Sequence, residues 1–280
     1  MKRLGQLGKR LGRSALANPR QALREVLIRL KGVDRRPPLL LVEGGVRAQQ
    51  ASARISVKPT ANRALPIVFI HRSASHYLSY TFAQARKSNP ASPIYLLGDS
   101  SNTGYELVQH CSMFDYFKQA AEFRQVYKHY STNSFDYELI NFQRWFVLRE
   151  FLIANDLPRC LYLDSDTMLY ADVTEEAKKF QHFDFTLSQM MSGCTFFLNR
   201  LDALTDFCSF LMDIYSGKAK YYYDKMIAHY TVRKMNRLAG GVCDMTAFQL
   251  YHELHFGEIG EVAQIIDGSV YDPAITTPAP

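Results

Sequence analysis

The stretch "RCLYLDSDTMLYADV", residues 159–173, sets an apolar run directly against two aspartates, Asp164 and Asp166, with Ser165 between them. A short apolar run of that kind reads as a buried central strand. Residues two apart on a strand face the same side, so the two carboxylates converge on one point if the strand continues through them. Like charges that close resist joint ionisation unless something positive lies beside them. A divalent cation meets that need, and magnesium or manganese takes oxygen ligands while leaving positions for phosphate oxygens. The competing interpretation is a solvent-facing turn, because aspartate is common where strands end.

Upstream, residues 136–154 have helical spacing, with Ser134 as the cap and Asn155, Asp156 and Pro158 as the stop. Leu139, Phe142, Trp145, Phe146, Leu148, Phe151 and Leu152 cover most of the circumference, which places this helix deep in the fold. Arg144 and Arg149 stand out there, since a buried guanidinium needs an anion to offset its lost hydration. Glu138 and Glu150 are the acids on the same helix available to Arg144.

Further back, "LPIVFIH" (65–71) is a strand, residues 77–87 a helix, and "SPIYLLGD" (92–99) a second strand closed by a turn-rich "SSNTG". Strand, helix, strand predicts a mostly parallel sheet covered by helices, an α/β/α sandwich of Rossmann-like character. Its strand ends share one rim, where open α/β sheets bind ligands. Downstream, "FDFTL" (183–187) and "SGCTFFLN" (192–199) read as two more strands, followed by a helix over 201–215. "AGGVCDMTAFQLYHEL" (239–254) places two glycines before a helix that starts near Asp244, a residue type suited to an N-cap.

In this order of elements the chain resembles the metal-dependent nucleotide-sugar glycosyltransferases of the A-type fold. The resemblance is carried by "LINFQRWFVLREFLIANDLPRCLYLDSDTMLYADV", residues 139–173, and extends over roughly residues 65–270 as an order of elements. It implies that Asp164 and Asp166 hold Mn2+ or Mg2+ against the diphosphate of a nucleotide-sugar donor, with Ser165 beside it. It implies that Asp99 accepts the N3 hydrogen of uracil, that His71 and Arg72 contact the nucleoside, and that Arg144 reaches the donor. Gly193 falls on the segment lining the sugar and acceptor side, and Asp244 on the element whose acid faces the acceptor or the transferred sugar. If the anomeric configuration inverts, Asp244 is the candidate catalytic base; if it is retained, no dedicated base is required. The chain departs from the pattern in one place, since "DGSVYDPAITTPAP" ends without the histidine that several branches supply as third metal ligand. His252 and His255, on the preceding helix, are expected to be core or surface residues.

Composition bounds the rest. The 280 residues are 47% hydrophobic, which fills a core and excludes disorder. The longest apolar runs fall far short of the roughly 20 residues a membrane span needs. Cys111, Cys160, Cys194, Cys208 and Cys243 are odd in number and widely spaced, as expected of reduced, buried thiols. Residues 1–36 carry eleven Lys or Arg against Glu25 and Asp34, a balance of +9, so residues 37–280 sum to −3. The basic segment reads as a helical arm whose cations suit an anionic membrane surface or pack on the main domain; nucleic acid is disfavoured for want of interleaved aromatics. Residues 37–63 read as a connector and 64–280 as the catalytic domain. The expectation is a cytoplasmic enzyme, peripheral at the inner membrane face, transferring a sugar from a UDP-sugar to a glycan or lipid-linked acceptor. A sugar-nucleotide-binding domain without activity and a haloacid-dehalogenase-like phosphatase are the rivals. The latter wants Thr or Val at Met168 and an Asp-Asp pair that the chain lacks.

Overall fold

The structure is a computed structural model that describes residues 64–271. The basic arm and the whole of the connector lie outside the described residues.

Seven strands form one sheet: β1 (Ile67–Ile70), β2 (Ile94–Gly98), β3 (Gln109–Ser112), β4 (Cys160–Leu163), β5 (Phe185–Leu187), β6 (Thr195–Leu198) and β7 (Ile259–Glu261). Their spatial order is β3-β2-β1-β4-β6-β5-β7. β1 pairs in parallel with both β2 and β4, and β2 with β3. β6 runs against its two neighbours, and β5 and β7 are parallel. The chain therefore moves outward from β1 to β3 and returns to place β4 on the other side of β1. That reversal opens a crevice outside the carboxyl ends of β1 and β4.

Alternation along the strands divides the core into two layers. Ile67, Phe69, Leu161 and Leu163 face α1 (Leu78–Ser88) and the single turn α4 (Val173–Glu176), together with Phe180 and Phe197. Val68, Tyr162, Phe185 and Phe196 face α2 (Lys118–Val126), α3 (Phe135–Ala154), α5 (Leu201–Tyr215) and α7 (Asp244–Leu254). The expected α/β class with a mostly parallel sheet is what forms.

α3 is the organising element of the second layer. Ser134 accepts from Tyr137 N at its start, and Leu139, Phe142, Trp145, Phe146, Leu148 and Phe151 are essentially inaccessible. Each such side chain contributes about 1.5–3 kcal/mol of transfer free energy. α6 (Lys220–Met235) is its opposite, burying only Met226. No described helix is long and apolar enough to cross a membrane.

Candidate functional site

β4 stops at Leu163, so Asp164 and Asp166 do not sit on one strand: Asp164 N donates to Cys194 O at 3.0 Å, and Thr167 N closes a turn onto Asp164 O at 3.0 Å. The two carboxylates consequently have different surroundings. Asp164 lies on the α3 side, continuing the alternation from Tyr162, whose hydroxyl donates to Asp164 Oδ1 at 2.9 Å. Asp166 is exposed.

Arg144 on α3 binds two acids at once. Its Nη1 donates to Asp164 Oδ1 and its Nη2 to Asp244 Oδ2, both at 2.7 Å, with the guanidinium 5.0 Å above the Trp145 ring. Trp145 Nε1 also donates to Asp244 Oδ2, at 3.0 Å. The sequence candidates Glu138 and Glu150 are engaged elsewhere: Glu138 accepts from Ser131 and Asn133, and Glu150 from the backbone of Lys118 and Gln119. Burial works against the charge on Arg144, but the Tyr162 hydroxyl and the two carboxylates outweigh it and hold its pKa well above the ordinary range. The buried Nε of Arg144 has no hydrogen-bond partner among the described residues. Asp244 is not the N-cap of α7. Cys243 holds that position, and the Asp244 side chain, 4% exposed, turns inward to the arginine.

On the other side of the crevice, His71 Nδ1 lies 2.8 Å from Ser165 Oγ and His71 Nε2 lies 3.1 Å from Ser75 Oγ. Burial lowers the pKa of His71, with Asp99 and Asp166 pulling it back up. Asp99 is held by three donors: Ser73 N on Oδ2 at 2.8 Å, and the backbone and hydroxyl of Ser101 on Oδ1. The Ser101 hydroxyl is the main reason its carboxyl lies below the usual range. Asn102, buried, ties the ends of β1 and β2 together, donating to His71 O at 2.8 Å and accepting from Asp99 N at 2.9 Å.

Gly193 reaches the same rim because β6 is antiparallel and enters the sheet there; a Cβ at this position would collide with the six-membered edge of Trp145. Arg72 takes no part in the Arg144 bridge, but its charge helps to hold the Asp99 carboxyl below the usual range. It lines a hollow of about 160 Å³ with Phe114, Phe117, Arg124, Leu139 and Gln143. Phe114, 55% exposed, packs against Phe117 with ring centroids 5.6 Å apart. Sequence inspection does not find these aromatics, since Phe114 looks like any apolar residue until β3 places it at the rim. Arg149 is away from the site, donating to Thr205 and Gln119 beside a separate hollow of about 250 Å³. His255 lies near Glu258, its Nδ1 2.9 Å from Oε2.

For a metal, the usable donors are Asp164 Oδ2, which takes no hydrogen bond among the described residues, and the exposed Asp166 carboxylate. Carboxylate oxygens without hydrogen-bond partners suit a hard cation whose other ligands are phosphate and water. Among the described residues no group of three or more His, Cys, Asp or Glu is gathered into a metal site.

The fold and crevice define an α/β protein with a mostly parallel seven-stranded sheet and an acid–arginine–acid bridge at its switch point. No family model and no curated protein sequence matches the chain. Among solved structures, PaToxG Glycosyltransferase aligns with 69% of this chain and 71% of its own, at 16% identity and a TM-score of 0.35.

Proposed function

We propose that the chain is a glycosyltransferase that moves a sugar from a nucleotide-sugar donor, a UDP-sugar, to a glycan or lipid-linked acceptor. The observation that carries the proposal is Arg144 bridging Asp164 and Asp244 at the carboxyl ends of β1 and β4, where α/β sheets take nucleotides. The nucleoside lies along His71, Ser165 and Asp99, with Arg72 and the Phe114 hollow at its far end. Asp99 already accepts three hydrogen bonds, so it has about one lone-pair site left for a base N–H.

Asp164 and Asp166 would hold Mn2+ or Mg2+, which when bound stabilises the leaving diphosphate as a Lewis acid. Arg144 offers a fixed positive charge beside the sugar and phosphates, preorganised by two carboxylates and two aromatic faces. Asp244 is enclosed and doubly hydrogen-bonded at Oδ2, which favours a positioning role for it over that of a base for an acceptor hydroxyl. Transfer with retention, which requires no dedicated base, is consistent with that role for Asp244.

Calorimetric titration of UDP with and without Mn2+, followed by donor hydrolysis across a panel of UDP-sugars, tests the proposal. Metal-dependent UDP binding with slow hydrolysis of one donor supports transfer, and binding without hydrolysis supports the inactive binding domain. Phosphomonoesterase activity without affinity for UDP would reject both.

A further inference from the structure

We propose that the carboxyl-terminal end of α6 and the turn after it form a docking surface for a bilayer containing anionic phospholipid. Residues 218–237 carry six Lys or Arg against Asp224 alone. Because residues 37–280 sum to −3, everything in that range outside this segment sums to −8. The segment is thus net basic, at +5, in a range that is otherwise net acidic.

Its distribution along the helix points to the far end. Lys218, Lys220 and Lys225 are answered by Asp213, Asp224 and Glu253 at 3.5, 2.8 and 2.5 Å. Lys234 and Arg237 have no acidic partner among the described residues; the Lys234 ammonium lies 5.8 Å from the centre of the Tyr230 ring. Between and beside these two cations, Met235 is 75% and Leu238 50% exposed. Exposed apolar side chains flanked by unanswered cations suit the boundary between headgroups and acyl chains, where both are accommodated together. A nucleic-acid backbone would satisfy the cations and leave Met235 and Leu238 in water.

The turn that presents them is built at a cost. Leu238 N donates to Arg233 O and Arg237 N to Lys234 O, the pattern that closes a helix on a left-handed residue, usually glycine. Here the residue is Arg237, with φ of 54°. The chain then runs through Gly241, paired with Ser131, to Asp244 at the crevice. A bilayer against this turn would lie on the side of the molecule where α7 begins. Vesicle contact needs neither donor nor acceptor, so this surface and the sugar-transfer proposal stand or fall separately.

The test uses the full chain carrying Leu238→Trp, with buried Trp145 as the constant background. Vesicles of phosphatidylserine and phosphatidylcholine with brominated acyl chains should quench the introduced indole. Adding Lys234→Gln and Arg237→Gln should lower that contact about 30-fold, the effect of removing two surface cations. Both pairs of side chains are exposed, and an unchanged thermal melt verifies folding. Vesicle pelleting without quenching of the indole, equal quenching by pure phosphatidylcholine, or binding that depends on Lys234 and Arg237 to duplex RNA in place of vesicles would each overturn the proposal.

Discussion

Ser165 Oγ lies 2.8 Å from His71 Nδ1, joining the end of β4 to the end of β1 across the mouth of the crevice. With Ser75 on its other nitrogen, the imidazole serves both hydroxyls in its neutral form. Burial is the chief reason its pKa falls below the ordinary 6.5, so the unfolded chain takes up the proton first as the solution is acidified. Stability from this group is complete above the unfolded value and declines as pH falls from about 6.5 towards the lower folded value. Melting temperature followed from pH 8 to 5 should fall more steeply for the natural chain than for His71→Asn, which keeps a polar atom near the Nδ1 position. Parallel curves would remove His71 as the source.

Arg144 is the joint of the site, and its removal should be costly. Arg144→Met leaves Asp244, 4% exposed, with a buried charge answered only by the Trp145 indole and the backbone of Met245. Breaking a buried pair in this way costs about 3–5 kcal/mol. Urea unfolding should show that loss, and Arg144→Met combined with Asp244→Leu should recover part of it. If the double variant is as unstable as the sum of the two single ones, the bridge is not the relevant interaction.

The pattern of what sequence alone discloses follows from the range of the interactions involved. α3 is legible to within a residue because its signals are local: Ser134 at the start, an apolar girdle, and Asn155 at the end. The rim residues of β1, β2 and β4 are legible for the same reason, each following a short apolar strand. The partner of Arg144 is not, because helical spacing offers Glu138 and Glu150 while the folded chain supplies Asp244 from 100 residues away. β3, "QHCS", has no apolar alternation, since an edge strand has only one hydrogen-bonded neighbour and its residues are mostly half-exposed. α6 escapes notice because a helix that buries Met226 alone leaves no periodic stripe.

Asn102 is 1% exposed and bonded to His71 O, Ser73 O and Asp99 N, with His110 Nε2 3.1 Å from its Oδ1. Asn102→Ala would remove hydrogen bonds to several partly buried groups at the ends of β1 and β2, at up to about 1–3 kcal/mol for each one left unsatisfied. The expected result is a lowered melting temperature together with weaker UDP binding, because the same side chain positions both strand ends. A variant that lost stability and kept full nucleotide affinity would show that the β1 and β2 ends need no such tie.

Gly193→Ala tests how tightly the rim is packed. The new methyl must displace the Trp145 indole, which also donates to Asp244, so packing and electrostatics are disturbed together. Overpacking of this kind costs about 1–3 kcal/mol. Trp145 is the single tryptophan of the chain, so its emission reports the displacement directly, and Trp145→Phe should relieve part of the destabilisation. An unshifted emission spectrum with unchanged stability would place the ring elsewhere.

Asp166 separates chemistry from architecture. It is exposed and takes no hydrogen bond among the described residues, so Asp166→Asn should alter stability by no more than about 0.5 kcal/mol. Asp164 is different, since its Oδ1 completes the Arg144 and Tyr162 network and Asp164→Asn would weaken that as well. If the pair holds a divalent cation, Asp166→Asn should abolish the gain in UDP affinity that Mn2+ confers while leaving the melt of the metal-free protein in place. Equal Mn2+ enhancement in the variant and the natural chain would mean that the cation, if one binds, is held by other groups, and that the exposed aspartate is a surface residue.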